Sequence, residues 1–539
     1  MSCYIDTEVN RNLESPLPGQ RAIVVGAGIG GLVAALELAG RGLEVTVLER
    51  AAAPGGKMRE VMVAGRPIDA GPTVFTLRPV FEAIFAAAGS SLDAHLVLRP
   101  VEVLARHAWN ERDRLDLYAD RERSAEAIAA FAGPAEGRGY RRFCERARRI
   151  WRTLAESFVD APQPSLPGLV QAVGIGRLPD LLSISPFSTL WQALGEHFRD
   201  PRLRQLFGRY ATYVGSSPFL APATLMLVAH VEQEGVWLVE GGMHRLAAAL
   251  AGLAAARGAT FRYGAEVAEL RIEGGRIAGV ALADGEHLAA DAVVLNADVA
   301  ALSGGAFGRP AAAAVAPASR ARRSLSAVTW ALVARSAGFP LLRHNVFFSG
   351  DYRAEFDDLF GRSRLPAAPT VYVCAQDRDD RGRAGVGGPG DGPGGGPGDE
   401  PERLLCLVNA PATGDTHPFD AAEIEQCATR TFERLAACGL TLRPEASQVT
   451  TPADFARLFP ATGGAIYGQA SHGWTASFQR PGSRSKVPGL YLAGGSVHPG
   501  AGVPMAALSG RHAAASLMAD LSSTGRSRRT AMPGGTSTR

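Results

Sequence analysis

Cysteine is scarce in this chain, with six residues among 539. No two of them form the C-x-x-C pairs that hold zinc ribbons, and their wide scatter does not suit a disulfide framework. The six positions are Cys3, Cys144, Cys374, Cys406, Cys427 and Cys438. The sequence therefore predicts no metal site and favours a reducing compartment.

Long apolar runs are missing as well. No stretch reaches the ~20 apolar residues that cross a bilayer. Residues 1–20 contain no apolar core of a secretory signal. We therefore expect a cytoplasmic protein that associates with the cell membrane at most peripherally.

Neither sign of charge dominates. The chain has 56 Lys and Arg residues against 53 Asp and Glu residues, for a formal net charge of +3. So small an excess does not indicate a strongly charged partner. Arginines cluster within residues 138–152, but their helical spacing between apolar residues indicates a solvated helix face. We expect no nucleic-acid partner.

Glycine is abundant where the first strand pattern ends. Residues 23–25 are apolar and β-branched, and Gly26, Gly28 and Gly31 follow at the spacing G-x-G-x-x-G. A helical pattern comes next, and a second apolar run then ends at Glu49. In such a unit the glycines allow the tight turn, the approach of a pyrophosphate and close helix packing, while the acid binds the ribose. The stretch predicts a dinucleotide site.

A second glycine-rich unit lies about 460 residues further along the chain. Residues 490–493 form an apolar strand pattern, Gly494 and Gly495 follow it, and a Gly/Pro loop opens a helix expected to end near residue 521. A nicotinamide that comes and goes needs one such clamp, whereas a permanently bound flavin is held at both ends. The pair of units therefore predicts FAD.

The segments between these units differ in character. Residues 74–235 combine helical periodicity with bulky apolar side chains, whereas residues 320–375 show alternating strand patterns. The predicted fold class is α/β (α+β overall), with a Rossmann-like FAD-binding domain, a mixed substrate domain and a helical, membrane-facing part. The predicted division is a disordered arm at 1–18, FAD-binding parts at 19–73, 236–300 and 481–521, a helical part at 74–235, a substrate domain at 301–480 with a disordered insertion at 381–401, and a disordered tail at 522–539.

Longer motifs resemble those of the bacterial-type phytoene desaturase family of carotenoid oxidoreductases, over about residues 21–518. They are the runs 25–31, 54–57, 69–73, 344–356 and 490–504. Within the family, residues 71–76, 102–109, 208–218 and 459–468 are most similar to the 1-hydroxycarotenoid 3,4-desaturases, also called methoxyneurosporene dehydrogenases. Many phytoene-type members carry Gly-Gly where this chain has Ser216 and Ser217, and Gly-Ile-Pro-Gly at residues 502–505, which makes it less similar to them.

The resemblance implies an FAD-dependent desaturase of carotenoid biosynthesis that introduces a C-3,4 double bond into a 1-hydroxycarotenoid such as 1-hydroxyneurosporene or 1-hydroxylycopene. Hydride would pass to the flavin, oxygen or a quinone would accept the electrons, and the lipid-dissolved substrate would be taken up at a membrane surface. The implied cofactor-binding residues are Gly26, Gly28, Ile29, Gly30, Gly31, Glu49, Arg50, Gly56, Lys57, Gly71, Pro72, Thr73, Val267, Gly494, Gly495, Gly502, Val503 and Pro504.

Three further assignments are open to alternatives. Glu240 is the candidate proton acceptor, or else a surface turn acid. Arg209, Tyr210 and Tyr213 are candidates for recognising the hydroxyl end of the carotenoid, or else they pack as an ordinary Tyr-rich helix. Residues 178–194 have the aromatic and leucine content of an interfacial segment, which a core helix explains equally well.

Other functions remain as alternatives at this point. A phytoene-type desaturase would act on an acyclic unhydroxylated carotene. Another flavin oxidase of the same fold, such as an amine or protoporphyrinogen oxidase, would not be expected to share the run 497–504. A non-catalytic lipid-binding carrier of GDP-dissociation-inhibitor-like fold would not need the glycine turn followed by Glu49.

Overall fold

The computed structural model describes residues 19–155, 159, 188–383 and 400–530. The predicted N-terminal arm, residues 384–399 of the Gly/Pro-rich insertion, residues 178–187 of the predicted interfacial segment and residues 531–539 of the predicted tail lie outside these ranges.

A parallel sheet of five strands collects three distant parts of the chain. Its strands in spatial order are Thr260–Tyr263, Glu44–Glu49, Arg21–Val25, Ala292–Leu295 and Leu490–Leu492. The central strands are continuously apolar because both faces of the sheet are covered. Since the carboxyl ends of parallel strands meet at one edge, the loops that follow Val25, Leu295 and Leu492 lie together.

A second sheet, of seven strands, is antiparallel except for one pairing. Its strands in spatial order are Thr441–Thr450, Ser326–Ala337, Glu402–Ala410, Val371–Ala375, His344–Phe347, Val103–Ala108 and Arg114–Tyr118. The parallel pairing joins His344–Phe347 to Val103–Ala108. The α/β class predicted from the sequence, with mixed sheets and helices, is confirmed.

Residues 74–235, predicted to be mostly helical, also contribute four strands to the sheets. Val103–Ala108 and Arg114–Tyr118 join the seven-stranded sheet, and Phe75–Thr76 and Leu98–Pro100 pair with Val236–Val239. The burial of Arg114–Tyr118 alternates with the period of two that a half-buried strand has. These signals are short beside the helical runs that flank them, which is why the sequence pattern conceals them.

The smaller sheets and the helices complete the architecture. In one smaller sheet, Glu60–Val63 pairs with Arg66–Asp69. In another, the central strand Arg276–Leu282 pairs with Val267–Glu273 on one side and with His287–Ala289 on the other. The α-helices are Ile29–Gly40, Arg78–Ala87, Arg121–Ala132, Pro134–Leu154, Leu190–Leu194, Pro201–Gly208, Leu227–Gln233, His244–Ala256, Val299–Ser303, Arg309–Ala312, Tyr352–Phe356, Ala421–Ala437, Pro452–Leu458 and Val503–Thr530. Within the described ranges, no helix has both the length and the apolar character needed to cross a membrane.

The last helix, Val503–Thr530, corrects the predicted disordered tail at its start. It continues past residue 521 because no proline interrupts the chain between Pro504 and Pro533. Its packing against the helix Ile29–Gly40 is close, since a Cβ atom at Gly510 would overlap the carbonyl oxygen of Gly30. The two glycine-rich units of the sequence are therefore in direct contact.

The seven-stranded sheet has two different faces. The helix Ala421–Ala437 covers one face, with Cys427 and Leu435 buried in the shared core. Alternate residues such as Leu405 and Leu407 point to the other face, where they line a cavity. This face is the wall on which the candidate site is built.

Candidate active site

The first glycine turn stands at the carboxyl edge of the parallel sheet. Gly26 has a φ of +95°, and its N–H donates to the carbonyl oxygen of Leu48 at 2.8 Å. A Cβ atom at Gly31 would overlap the carbonyl oxygen of Gly26. The glycine spacing therefore lets the helix Ile29–Gly40 start directly against the strand, as expected from the sequence.

The N terminus of that helix faces the turn. Its N-cap is Gly28, so no side chain caps the first-turn amides, to which Ile29 and Gly30 belong. Free amides at the positive end of a helix dipole bind phosphate groups. This end of the helix fits the pyrophosphate of a dinucleotide.

The loop 54–57 packs onto the same turn. The N–H of Gly55 donates to the carbonyl oxygen of Ala27 at 2.9 Å, and a Cβ atom at Gly56 would lie 3.3 Å from the Cα atom of Gly28. The two segments therefore meet backbone to backbone. We call Gly26, Gly28, Gly30, Gly31 and Gly56 the glycine cradle.

Asn296 joins the glycine cradle to the second glycine-rich unit, and the sequence analysis does not include it. Its Nδ2 atom donates to the carbonyl oxygen of Gly26 at 3.2 Å. A Cβ atom at Gly30 would lie 2.8 Å from Asn296 Oδ1 and 2.9 Å from the amide nitrogen of Gly494. The available signal was its position, as the first polar residue after the buried strand Ala292–Leu295.

Glu49 is the last residue of the second strand and Arg50 follows it, and their side chains point in different directions. The buried Glu49 carboxylate accepts hydrogen bonds from the N–H groups of Ala27 at 2.7 Å and Ala51 at 2.8 Å. A carboxylate has about four lone-pair sites, so capacity for ribose hydroxyls is left. Arg50 is exposed and donates to the carbonyl oxygen of Arg457 at 2.9 Å, which directs it towards the helix Pro452–Leu458.

Two further predicted residues flank this edge. Val267 is buried at the start of its strand, just after Ala265, whose N–H donates to the carbonyl oxygen of Glu49 at 2.9 Å. Lys57 turns the other way and donates to the carbonyl oxygen of Ile466. Burial lowers the pKa of Lys57, and nearby Asp298 opposes that shift.

The second unit supplies its own backbone surface. Gly494 donates its N–H to Ser509 Oγ at 2.8 Å, and the carbonyl oxygen of Gly495 accepts from Arg480 at 2.9 Å. Arg480 is buried, and burial lowers its pKa to about 10 despite Asp298 nearby. It remains a cation at neutral pH, beside the loop that leads into the last helix.

Gly502 directly precedes that helix, Val503 and Pro504 are its first two residues, and all three line the large cavity. A Cβ atom at Gly502 would meet nothing closer than Met505 Cγ at 3.9 Å, so space is left above this backbone. Together with the uncapped helix end and the acid of Glu49, this open backbone fits a flavin dinucleotide. The structure thus brings the predicted cofactor residues of both units to one edge, with Arg50 directed elsewhere.

A cavity of about 560 Å³ extends from this turn along the seven-stranded sheet. Gly71, Pro72 and Thr73, which are predicted cofactor residues, lie on its wall. Most of the remaining lining is aliphatic or aromatic, and the sheet and the helix Leu227–Gln233 supply part of it. This mostly apolar lining suits an apolar ligand.

One group of polar side chains interrupts the apolar lining. Arg209 donates to Tyr213 Oη at 2.6 Å, and the Tyr213 hydroxyl donates to Glu232 Oε1 at 2.9 Å. The Tyr210 hydroxyl donates to the other carboxylate oxygen of Glu232 at 2.6 Å. Arg209, Tyr213 and Glu232 line the cavity, whereas Tyr210 lies behind them. We call these four residues the polar cluster.

The charges of the polar cluster balance each other. Arg209 is only 8% exposed. Burial acts to lower its pKa, but Tyr213 and Glu232 outweigh that effect and raise the pKa overall. The guanidinium therefore stays charged, with its counter-charge one hydroxyl away.

A second polar chain faces the cavity from the sheet. The Tyr372 hydroxyl lies 2.7 Å from both Thr73 Oγ1 and His344 Nδ1. Burial lowers the pKa of His344 to about 3, with help from Arg343 and Arg209. Burial also lowers the pKa of His107 on the neighbouring strand well below its usual value. Both imidazoles are neutral at physiological pH.

Glu240 does not belong to either group, which corrects its assignment as the candidate proton acceptor. It is exposed, it pairs with Arg99 at 2.8 Å, and it does not line the cavity. The strand Val236–Val239 carries the chain from the cavity to the surface before this residue is reached. The alternative named above, a surface turn acid, describes its position.

Glu232, which is not among the residues predicted from the sequence, is an acid on the cavity wall. The sequence signal for Glu232 is an acidic residue in a helical run that is largely apolar. Leu227, Val228 and Val231 of the same helix also line the cavity. An acid on the apolar face of a helix needs buried partners. The sequence does not reveal that Tyr210 and Tyr213 would supply them.

The described part of the predicted interfacial segment is a core element. Leu190 and Leu194 of the helix Leu190–Leu194 are fully buried. This supports the core-helix alternative for residues 190–194.

Comparison with known proteins gives three relevant matches. The family of flavin containing amine oxidoreductases matches residues 29–518. The chain is 56% identical over 530 residues to a hydroxyneurosporene desaturase of Rubrivivax gelatinosus, with 98% of each chain covered. It is 48% identical over 509 residues to a hydroxyneurosporene desaturase of Cereibacter sphaeroides, with 94% of this chain and 99% of that one covered.

Solved structures agree on the architecture. A putrescine oxidase mutant with redesigned cofactor binding superimposes with a TM-score of 0.57 at 12% identity, covering 94% of this chain and 99% of that one. At so low an identity the likeness concerns the fold alone.

Proposed function

The chain belongs to the flavin-containing amine oxidoreductases, and within that family we propose that it is a desaturase that introduces the C-3,4 double bond into an acyclic 1-hydroxycarotenoid. The predicted carotenoid desaturase family and the predicted FAD cofactor are confirmed by the matches over nearly the whole chain. The same matches do not favour a non-catalytic carrier.

One structural observation carries the choice of substrate. The cavity lining is mostly apolar but contains the polar cluster, in which a buried cation, a tyrosine hydroxyl and a carboxylate meet. A hydrocarbon chain with one hydroxyl group matches this distribution of polar and apolar surface. A carotene without a hydroxyl would desolvate the polar cluster and give it nothing to bind, at a cost of about 1–3 kcal/mol.

The bound cofactor and the protein would have different roles in the reaction. When bound, FAD supplies the two-electron oxidant that accepts a hydride from the C–H bond. The chain contributes binding, orientation and exclusion of water. The glycine cradle and Glu49 would hold the adenosine and pyrophosphate part, and residues 502–504 would hold the flavin ring beside the cavity.

Arg209 and Tyr213 would bind the substrate hydroxyl. Both line the cavity. A substrate hydroxyl can accept a hydrogen bond from the guanidinium and donate one to the phenol oxygen. Tyr210 would act one step back, because it is 3% exposed and holds Glu232 without lining the cavity. This division refines the roles predicted for the three residues.

The substrate would enter from a membrane surface. Trp474 lines the cavity and is 43% exposed, and Leu220, whose carbonyl oxygen accepts from Gly473, is 48% exposed. Large apolar side chains at a cavity entrance suit contact with lipid. Oxygen or a quinone would be the final electron acceptor.

Feeding experiments test the proposed function. Cells engineered to make 1-hydroxyneurosporene, 1-hydroxylycopene or phytoene would express the chain, and their pigments would be separated and weighed by mass spectrometry. We expect the two hydroxycarotenoids to lose two hydrogens each while phytoene is unchanged. Desaturation of phytoene alone would establish the phytoene-type alternative, and a purified protein that cannot retain FAD would exclude any desaturase.

A further inference from the structure

We propose that Glu232 is the proton acceptor of the desaturation, a role that rests on the proposed function. The reaction removes a hydride and a proton from adjacent carbons, so a group in the cavity must take the proton. Among the residues that the structure describes, Glu232 is the one carboxylate on the cavity wall.

The other titratable groups on the wall are unsuited to this task. His107 and His344 hold their protons weakly because burial lowers the pKa of each. Arg209 and Arg480 are cations and have no lone pair to offer. Burial raises the pKa of each phenol on the wall, so none of them ionises near neutral pH; they are Tyr213, Tyr352, Tyr372 and Tyr467.

The hydrogen bonds around Glu232 fix its carboxylate at the cavity. Tyr210 and Tyr213 each occupy one oxygen, at 2.6 and 2.9 Å. Each oxygen of a carboxylate keeps a further lone pair, so a proton can still be accepted. The partly exposed position of Glu232 gives that proton a way out after each turnover.

The chemistry of the substrate requires recognition and proton removal at neighbouring places. The hydroxyl oxygen and C-3 are separated by three bonds of about 1.5 Å each, so they are at most about 4 Å apart. A residue that binds this hydroxyl is therefore close to the hydrogens that must leave. Tyr213 is such a residue in the proposed function, and its hydroxyl lies 2.9 Å from Glu232 Oε1.

The step balances with Glu232 in this role. One C–H bond would break with its electron pair, and the FAD of the proposed function would be the two-electron oxidant that takes up this hydride. The adjacent C–H bond breaks, its electron pair becomes the new π bond, and the proton forms an O–H bond on Glu232. The substrate is oxidised by two electrons, and the proton passes from the carboxyl group to solvent.

Anaerobic single-turnover measurements on the purified holoenzyme test this role. Loss of the oxidised-flavin absorbance is followed after mixing with 1-hydroxyneurosporene in detergent, for wild type, E232A, E232Q and E232D. We expect E232A and E232Q to slow flavin reduction about 100-fold or more, the scale of general acid–base catalysis, and E232D to retain part of the rate. Added formate should speed up E232A, because a small carboxylate then occupies the vacated space.

Glu234 supplies the matched control. It lies two residues after Glu232, is exposed, and does not line the cavity. One of its carboxylate oxygens lies 3.5 Å from His230 Nε2. E234Q should reduce its flavin at the wild-type rate. Flavin content, read before each measurement, separates a folding defect from a chemical one, and E232Q preserves the side-chain volume if E232A loses FAD.

Two results would overturn the assignment. Flavin reduction in E232Q at nearly the wild-type rate would show that another group takes the proton. Slow reduction of E232A that formate does not restore, with a matching loss of substrate affinity, would leave Glu232 a binding residue only. Failure of wild type to be reduced by the hydroxycarotenoid would instead refute the proposed function.

Discussion

The glycine cradle and the polar cluster are built from different parts of the polypeptide. Three of the four residues of the polar cluster line the cavity, whereas the glycines of the cradle do not. In the cradle, backbone meets backbone, as where Gly56 packs against Gly28. In the polar cluster, long side chains from separate elements meet through hydroxyl groups, as where Tyr213 joins Arg209 to Glu232. The first arrangement is mostly backbone, with the Asn296 side chain packed against it, and the second consists of side chains.

This difference separates two requirements of the enzyme. A backbone surface binds a phosphate-bearing cofactor without regard to what is oxidised, and many flavoproteins share it. Side-chain hydrogen bonds discriminate between substrates because an unpaired buried polar group is costly. Changes in the cradle should therefore abolish flavin binding, whereas changes in the polar cluster should alter the choice of substrate in a protein that is still yellow.

The largest expected effect comes from Gly31→Ala in the cradle. The added Cβ atom would overlap the carbonyl oxygen of Gly26, which is backbone and cannot move aside without opening the turn. Overpacking of this kind costs about 1–3 kcal/mol, or more where backbone must shift. We expect a protein without bound flavin, measured by its absorbance spectrum after purification, and with a lower melting temperature.

Gly40→Ala provides the control on the same helix. A Cβ atom at Gly40 would meet nothing within 4 Å, and alanine favours a helix more than glycine does. G40A should purify yellow and at least as stable as wild type. A yellow, active G31A protein would show that the cradle does not depend on contact between backbones.

The cradle was predictable because its chemistry is local in sequence. Gly26, Gly28 and Gly31 lie within a short stretch, and their spacing together with the flanking strand and helix patterns and Glu49 predicts a dinucleotide site. The second unit at Gly494 was equally visible. Asn296 was not, since a single polar residue after a strand carries no such spacing.

The polar cluster was predictable only in part. Arg209, Tyr210 and Tyr213 lie in the run 208–218 that resembles the hydroxycarotenoid desaturases, whereas Glu232, the acceptor that the two tyrosines share, lies outside it. Glu240 was named because it adjoins a glycine turn, although it is exposed and paired with a surface arginine. Which of two nearby acids faces a cavity depends on how a helix and a strand pack, and this is decided by tertiary contacts.

Glu355 is a buried acid next to the cavity wall, and its substitution shows how an acid outside both the glycine cradle and the polar cluster behaves. It is 2% exposed and accepts from Thr370 Oγ1 at 2.7 Å, while Thr370 itself lines the cavity. Burial raises the pKa of Glu355 to about 7, although hydrogen bonds from Thr370 and Ser349 oppose this. It has no place in the proposed chemistry, so its effect should be confined to stability.

The sign of that effect follows from the raised pKa. Below pH 4.5 the carboxyl group is protonated in both the folded and the unfolded chain, and its full contribution to stability is present. That contribution is lost as the pH rises from 4.5 through 7, because the unfolded chain releases the proton first. At pH 8 the loss amounts to about 3 kcal/mol.

E355Q should remove this pH dependence. The melting temperature of E355Q should exceed that of wild type at pH 8, and the difference should shrink towards pH 5. Glu126, which is exposed, gives the control variant E126Q, for which no change with pH is expected. An equal difference at both pH values would mean that Glu355 is not protonated in the folded protein.

The smallest expected effect tests the polar cluster itself, through Tyr213→Phe and Tyr210→Phe. Each change removes one hydroxyl that donates to Glu232, but only Tyr213 lines the cavity. A hydrogen bond of this kind contributes about 1–1.5 kcal/mol, or roughly tenfold in a rate ratio. We expect Y213F to lower kcat/KM for 1-hydroxyneurosporene relative to neurosporene about tenfold, and Y210F to change this ratio much less. If both variants lose the same activity on both substrates, the two tyrosines serve only packing around Glu232, and the contrast between a cofactor side made of backbone and a substrate side made of side chains fails.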